Sequence, residues 1–126
     1  MGKRNPTVTG GRFVGTVVRD TREQTGYGFF GLTCDASDGG GPLIVPVVVD
    51  TLRSGDYSLR GYEDQVAVER KSLADLYGTL GQGRDRFERE LGRLSSFRFA
   101  AVVVEATLPD VLLSPPRHSD LNPKTV

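Results

Sequence analysis

The chain has 126 residues, of which 16 are basic, 16 are acidic and 37% are hydrophobic. This length supports one domain with a single core, and the balanced charge excludes a strongly polycationic, histone-like DNA binder. No apolar run approaches the roughly 18 residues of a membrane-spanning helix, and the first residues lack the apolar stretch of a secretory signal. Cys34 and His118 are the only cysteine and histidine. A single cysteine excludes an internal disulfide, and one cysteine with one histidine excludes a cysteine- and histidine-rich zinc site. The lack of a disulfide indicates a reducing, cytoplasmic setting.

Two strands separated by a long loop are predicted in the first part of the chain. Residues 1–14 are polar and glycine-bearing, and we expect a loose lead-in there. A β-branched run at 15–19 predicts the first strand, and residues 43–49 predict the second, in which Pro46 indicates an edge position or a bulge. Residues 21–42 are glycine-rich and aperiodic, which is typical of a loop.

The rest of the chain mixes strand and helix patterns. A turn and a short strand are predicted at 55–59, and a longer strand at 65–71. Two helices follow: one at 73–80, which begins after Ser72, and one from Arg84, with Phe87, Leu91 and Leu94 on its apolar face. The last predicted strand, at 100–104, is expected to be covered on both faces. Prolines after residue 107 predict an extended or disordered tail, so the domain is expected at 15–110 and the tail at 111–126. Together these patterns predict an α/β fold with one central mixed sheet flanked by helices.

The segment 66–71 carries the most informative chemistry. Side chains alternate between the two faces of a strand, so Glu69 and Lys71 project together beside the small Ala67. Asp56 stands thirteen residues before Glu69 at a Gly-Asp-Tyr turn, where a neighbouring strand would bring its carboxylate close. Two carboxylates and a lysine suit a Mg²⁺-assisted phosphodiester hydrolase, because hard oxygen ligands hold the ion and the ion stabilises charge on phosphorus.

Plainer interpretations exist for these residues. Glu69 and Lys71 would also fit a group of solvent-exposed charges that pair with residues on a neighbouring strand. Ser72 and Asp75 have the spacing of a helix capping box, which is compatible with a second role for Asp75.

The arginines also have two interpretations. Arg22 would pair with a neighbouring acid at position 20 or 23, or contact DNA. Arg84 stands at a helix start, where a cation opposes the helix dipole unless an anion is bound. The arginines that follow are better interpreted as part of a solvent-exposed helix face with ion pairs along it: Arg86, Arg89 and Arg93.

Three ordered blocks closely resemble the XPF/Mus-type endonuclease family. They are Asp20-Thr21-Arg22-Glu23-Gln24, Gly55-Asp56-Tyr57 and Glu69-Arg70-Lys71-Ser72-Leu73-Ala74-Asp75. The nuclease domain of that family carries a G-D, E-R-K-x-x-x-D signature on a restriction-endonuclease-like, PD-(D/E)xK fold. The likeness covers about residues 15–110, and 102–105 are similar to the family's closing strand.

The resemblance implies a role for each matching residue. Asp56, Glu69 and the main-chain carbonyl of Arg70 would hold Mg²⁺ or Mn²⁺, and Lys71 would be the catalytic lysine. Asp20 would ligate a second ion, directly or through water. The side chains that would support these ligands are Glu23, Arg70 and Asp75. The side chains that would contact DNA phosphates are Arg22 and Arg84.

The implied function is metal-dependent cleavage of branched, flapped or junction DNA in repair or recombination, leaving a 3′-hydroxyl and a 5′-phosphate. The alternative is a non-catalytic DNA-binding or scaffold subunit that partners an active nuclease. A neutral chain is expected to bind DNA weakly and in a salt-sensitive way. This favours a homodimer, through the helical face of Phe87, Leu91 and Leu94, or a helper protein that supplies specificity for a DNA structure.

Overall fold

The computed structural model describes residues 10–113 and 115–116, and its central element is a five-stranded β-sheet. In chain order the elements are β1 (Gly11–Arg12), β2 (Val17–Asp20), a 3₁₀ turn (Ala36–Asp38), β3 (Leu43–Ile44), β4 (Val47–Asp50), β5 (Tyr57–Leu59), β6 (Val66–Lys71), α1 (Leu73–Leu80), α2 (Arg84–Leu94), β7 (Phe99–Val104) and α3 (Leu108–Leu113). The strand order is β4-β2-β5-β6-β7. Both outer pairs are parallel and the two inner pairs are antiparallel, so the sheet is mixed as predicted.

The strand predicted at 43–49 is divided at Pro46. β3 pairs with β1 in a separate two-stranded sheet, and β4 is an edge strand of the main sheet. Proline cannot donate to a strand ladder, which explains both the break and the edge position. β1 also shows that the predicted lead-in contains a short paired strand, while residues 1–9 lie outside the described part of the chain.

The prediction that both faces of β7 are covered is wrong. Phe99 is 61% exposed and Val103 is 42% exposed, whereas Val102 packs against the buried cluster of Ala67, Leu94 and Phe97. β7 is an edge strand with helices on one face, so its apolar run does not mark two covered faces.

The extended conformation predicted from residue 108 is also wrong for the first part of that segment, which forms α3. Thr107 and Asp110 cap the helix reciprocally: the Thr107 backbone donates to Asp110 Oδ2, and the Asp110 backbone donates to Thr107 Oγ1. Pro109 lies in the first turn, where a missing N–H breaks no helical hydrogen bond. The predicted domain boundary after residue 110 therefore falls inside a helix. Residues 114 and 117–126 of the predicted tail lie outside the described part.

Two helices cover one face of the sheet beside β6 and β7. α1 begins after Ser72, whose Oγ accepts the Asp75 N–H at 3.1 Å, as the sequence predicts. Phe87 and Leu94 of α2 are buried within the chain, and Leu91 is 39% exposed. Most of the helical face predicted for a dimer therefore belongs to the chain's own core. No helix in the described residues is both long and apolar enough to cross a membrane.

Candidate active site

Asp56 is placed by the turn before β5 and by the backbone of β6. Gly55 adopts a φ of +79°, and a Cβ there would lie 3.1 Å from the carbonyl oxygen of Val68, so the turn needs glycine. The Asp56 N–H donates to Val68 O at 2.8 Å, and Asp56 Oδ2 accepts the Arg70 N–H at 2.8 Å. These bonds hold the Asp56 carboxylate against the stretch of β6 that carries Glu69.

Glu69 is buried and surrounded mainly by other acids. It lies on the face of β6 that also buries Ala67, as the alternation predicts. The pKa of Glu69 is raised from 4.5 to about 8, mainly by burial and further by the carboxyl groups of Glu90 and Asp56, while Lys71 acts in the opposite direction. The site therefore places more negative than positive charge around Glu69, an environment that favours a bound cation.

Lys71 joins the end of β6 to α2. Its Nζ lies 3.5 Å from Glu69 Oε1, 3.7 Å from Glu90 Oε2 and 5.3 Å from the centroid of the Phe87 ring. Glu90 was not among the site residues predicted from the sequence. Its position three residues after Phe87 places it on the inward face of the helix, and that spacing could have revealed it.

Arg70 projects from the opposite face of β6 and ties several segments together. Its Nε donates to Glu105 Oε1 at 2.6 Å, and its Nη1 donates to Glu23 Oε1 at 3.1 Å and to the Thr25 carbonyl at 2.9 Å. The bond to Glu105, and the charges of Glu105 and Glu23, raise the pKa of Arg70 above its usual value against the effect of burial. Glu23 and Arg70 thus support the strand end that carries the site.

Glu105 is a second site residue that the sequence analysis missed. β6 and β7 are parallel, with Lys71 paired to Val104, and the Glu105 N–H donates to the Lys71 carbonyl at 2.8 Å. The signal was an acid directly after an apolar strand. It becomes informative only when the strand is known to run parallel to β6, because parallel strands end at the same edge.

Asp20 does not join the other acids. Its Oδ1 accepts from the backbone and Nε of Arg22 at 2.9 and 2.7 Å, and its Oδ2 accepts from Leu52 N and Arg22 Nη2 at 2.7 and 3.2 Å. The side chain is buried, and the bond to Arg22 lowers its pKa to about 2 even though burial opposes the shift. Four donors occupy both oxygens, so Asp20 anchors the loop after β2. Its role at a second metal ion, which the resemblance implies, stays a prediction.

The remaining predicted residues lie around the site. Asp75 is exposed in the first turn of α1 and lines the same cleft as Glu69. Arg22 is 71% exposed while it holds Asp20. Arg84 forms an ion pair with Glu88 at 3.1 Å, and Arg86 lines the groove between the two helices beside Lys71. Arg86 is therefore the arginine of α2 that faces the site.

The acids open on a cleft of about 350 Å³, which has room for a hydrated ion and a phosphate group. In the described part of the chain, no group of three acidic, histidine or cysteine side chains forms a cation site. Mg²⁺ needs no such group, because it keeps several waters and binds through one or two carboxylates and substrate phosphate oxygens. The oxygen donors of Asp56, Glu69 and the Arg70 carbonyl fit this ion.

The central mixed sheet, the flanking helices and the acidic strand end define the restriction-endonuclease-like class of nuclease folds. Residues 20–126 match the family model of the ERCC4 domain. The match spans well over half of the chain, so the chain belongs to this family, which comprises the nuclease domains of XPF/Mus-type endonucleases in DNA repair. No curated protein and no solved structure shows significant similarity to the chain. The predicted family and fold class are confirmed.

Proposed function

We propose that this chain is a divalent-metal-dependent DNA endonuclease that hydrolyses phosphodiester bonds at branched, flapped or junction DNA in repair or recombination. The observation that carries the proposal is the convergence of Asp56, Glu69 and Lys71 at one strand end. Asp56 is held there by the Arg70 N–H at 2.8 Å, and Lys71 lies 3.5 Å from Glu69. The two acids and the lysine thus meet in space although they are separate in the sequence.

The metal ligands would be Asp56, Glu69 and the Arg70 carbonyl, for Mg²⁺ or Mn²⁺. When bound, the ion would lower the pKa of a coordinated water and stabilise the negative charge on phosphorus. The Lys71 ammonium supplies a further positive charge at the same edge of the cleft, where it would orient the attacking water or neutralise a phosphate oxygen. Glu90 and Glu69 keep this ammonium in place on either side. Cleavage would leave a 3′-hydroxyl and a 5′-phosphate.

DNA would lie across the cleft with its phosphates on nearby arginines. Arg22 supports this because its side chain is largely exposed even while its Nε donates to Asp20. Arg86 is a second cation beside the catalytic strand end. Phosphate contacts of this kind position DNA without reading its sequence.

A homodimer would compensate for the weak DNA binding of a neutral chain. We place its interface on the edge strand β7 and on α3, where Phe99, Val103, Leu108 and Leu113 are exposed. An edge strand without charged residues suits symmetric pairing with a second copy, because a two-fold axis brings the same patch together from both sides. A helper protein that supplies specificity for a DNA structure would use the same surface.

One observation favours the alternative function, a non-catalytic DNA-binding or scaffold subunit. Both oxygens of the Asp20 carboxylate accept hydrogen bonds from Arg22 and Leu52, which would leave them little capacity for a second metal ion. A subunit that has lost catalysis would keep the fold and the DNA contacts.

A substrate panel tests the two functions. Linear duplex, single strand, flap and four-way junction are incubated with Mg²⁺, Mn²⁺ or EDTA. We expect metal-dependent cleavage of the flap or junction by the wild type and by Glu88→Gln, a control at an exposed acid of α2. Glu69→Gln should be inactive. Binding of these substrates without cleavage in either metal would support the non-catalytic subunit instead.

A further inference from the structure

Residues 26–31 form a glycine- and aromatic-rich loop, which we call the aromatic loop. Two of its aromatic rings pack inward: Tyr27 stacks on Tyr57 with centroids 5.6 Å apart, and Phe29 meets Tyr57 edge-on at 6.0 Å. Phe30 does the opposite and is 91% exposed. The loop therefore presents one aromatic ring to solvent on a well-packed base.

The base of the aromatic loop is attached to the candidate active site. The Arg70 guanidinium donates to the Thr25 carbonyl at 2.9 Å and lies 4.8 Å from the centroid of the Tyr27 ring. The Tyr27 hydroxyl donates to Glu105 Oε2 at 2.8 Å. Phe30 lies three positions after Tyr27, a span of at most about 11 Å along the chain. Phe30 is thus within reach of nucleotides next to a phosphate bound in the cleft.

The backbone of the aromatic loop holds Phe30 outward. Phe29 has a φ of +56°, in a region that bulky residues rarely adopt and that persists only where the surroundings enforce it. A Cβ at Gly28 would clash with the Phe30 ring, so the ring rests against the Gly28 backbone. A Cβ at Gly31 would meet nothing within 4 Å, so the residue after Phe30 also borders open space. Isolated exposed apolar residues are common, but a strained backbone in a loop whose base, at Thr25, lines the cleft is typical of a functional position.

We infer that Phe30 is a stacking platform for an unpaired nucleobase of the DNA substrate next to the scissile phosphate. This inference rests on the proposed nuclease function and adds to it the basis for choosing interrupted DNA. Aromatic faces stack on bases of any sequence. In a continuous duplex each base is already stacked and paired, so only a flap, a junction or a single strand offers a base at low cost.

Fluorescence tests the stacking directly, because the chain contains no tryptophan. A Phe30→Trp variant carries the only indole. We expect single-stranded or flap DNA to quench its emission in EDTA, and continuous duplex at the same nucleotide concentration to quench it much less. The control is Tyr62→Trp, at a 54% exposed aromatic in the turn before β6, far from the strand end that carries Lys71. Equal responses of the two variants would overturn the inference.

Affinity separates stacking from general apolar contact. Phe30→Leu keeps an apolar side chain without an aromatic face, so we expect binding of flap and single-stranded DNA to weaken about tenfold or more, and Phe30→Tyr to retain binding. Wild-type affinity of Phe30→Leu would refute the platform. Emission of Phe30→Trp that changes with protein concentration in the absence of DNA would also refute it, because a second chain would then cover the ring.

These measurements are independent of catalysis. Quenching of the Phe30→Trp indole, together with no metal-dependent cleavage by the wild-type chain, would overturn the nuclease proposal and leave the base-stacking site. Cleavage of flaps by a Phe30→Trp enzyme whose emission does not respond to DNA would overturn the stacking site and leave the nuclease.

Discussion

Lys71 Nζ lies 3.7 Å from Glu90 Oε2 and thereby connects the end of β6 to α2. The same ammonium lies 3.5 Å from Glu69 Oε1. One cation thus faces two carboxylates in a partly buried site, with a third, Asp56, adding negative charge near Glu69. The balance of these charges determines when Glu69 is ionised, and only an ionised Glu69 can serve as a metal ligand.

Glu90→Gln should therefore change the pH dependence of cleavage. Glu90 raises the pKa of Glu69, which stands at about 8. Removing the Glu90 charge lowers that pKa, so the rising limb of the pH–rate profile should move to lower pH. The profile is measured with a flap substrate at a metal concentration well below saturation, where protons and metal compete for Glu69, with Glu88→Gln as the control. A rising limb at the wild-type pH would contradict a role for Glu90 beside Glu69.

Glu69→Gln should abolish cleavage yet stabilise the metal-free fold above pH 8. The pKa of Glu69 is raised from 4.5 to about 8 in the folded chain, so its contribution favours folding below about pH 4.5 and is lost as the pH rises through 8. The glutamine variant avoids a buried charge and should gain on the order of 1 kcal/mol at pH 8.5 without metal. Thermal melts with and without Mg²⁺ measure this. If Mg²⁺ raises the melting temperature of the variant as much as that of the wild type, Glu69 is not a ligand.

Asp20→Asn should lower stability at neutral pH. The pKa of Asp20 is lowered from 3.8 to about 2, so its stabilising contribution is complete above about pH 3.8 and is lost as the pH falls through 2. We expect a loss of about 1–2 kcal/mol at pH 7, reduced because the partner Arg22 is largely in solvent. The difference from the wild type should vanish near pH 2. Urea unfolding at several pH values tests this, and a pH-independent difference would contradict the ion-pair explanation.

Gly26→Ala should disturb the aromatic loop. A Cβ there would clash with Arg19 Cδ and lie 3.0 Å from the Tyr57 hydroxyl, which accepts the Tyr27 N–H. We expect a loss of about 1–3 kcal/mol, because overpacking forces side chains from their rotamers. Gly92→Ala is the matched control: it lies in α2 with nothing within 4 Å of a Cβ, and it should stabilise the chain by roughly 0.5–1 kcal/mol. Equal effects in thermal unfolding would contradict close packing at Gly26.

Arg86→Ala should weaken DNA binding more than Arg84→Ala does. Arg86 lines the groove beside Lys71, whereas Arg84 is paired with Glu88 in solvent. One lost phosphate contact should reduce the slope of log affinity against log salt by about 1. Binding titrations at several salt concentrations give this slope. A larger effect of Arg84→Ala would favour the phosphate role that the family resemblance implies for Arg84.

Much of the site could be read from local signals. The alternation along β6 correctly placed Glu69 with Ala67 on one face and Arg70 on the other, because side-chain direction in a strand depends only on position. The Ser72 cap likewise needed only the residues of one helical turn. Glu90 and Glu105 were not predicted as site residues, because each reaches the site on an element that lies far from β6 in the sequence or beside it only in the folded sheet.

The sequence by itself determined the family, the order of most elements and the residue types available for catalysis, since hydrophobic period, turn residues and helix caps act over a few neighbouring positions. Only the tertiary structure decided which acids meet. It directed Asp20 to Arg22, brought Glu90 to Lys71, left one face of β7 open and turned Phe30 toward solvent. These outcomes depend on strand pairing and helix docking, where many distant contacts compete, and no short stretch of sequence records which of them prevails.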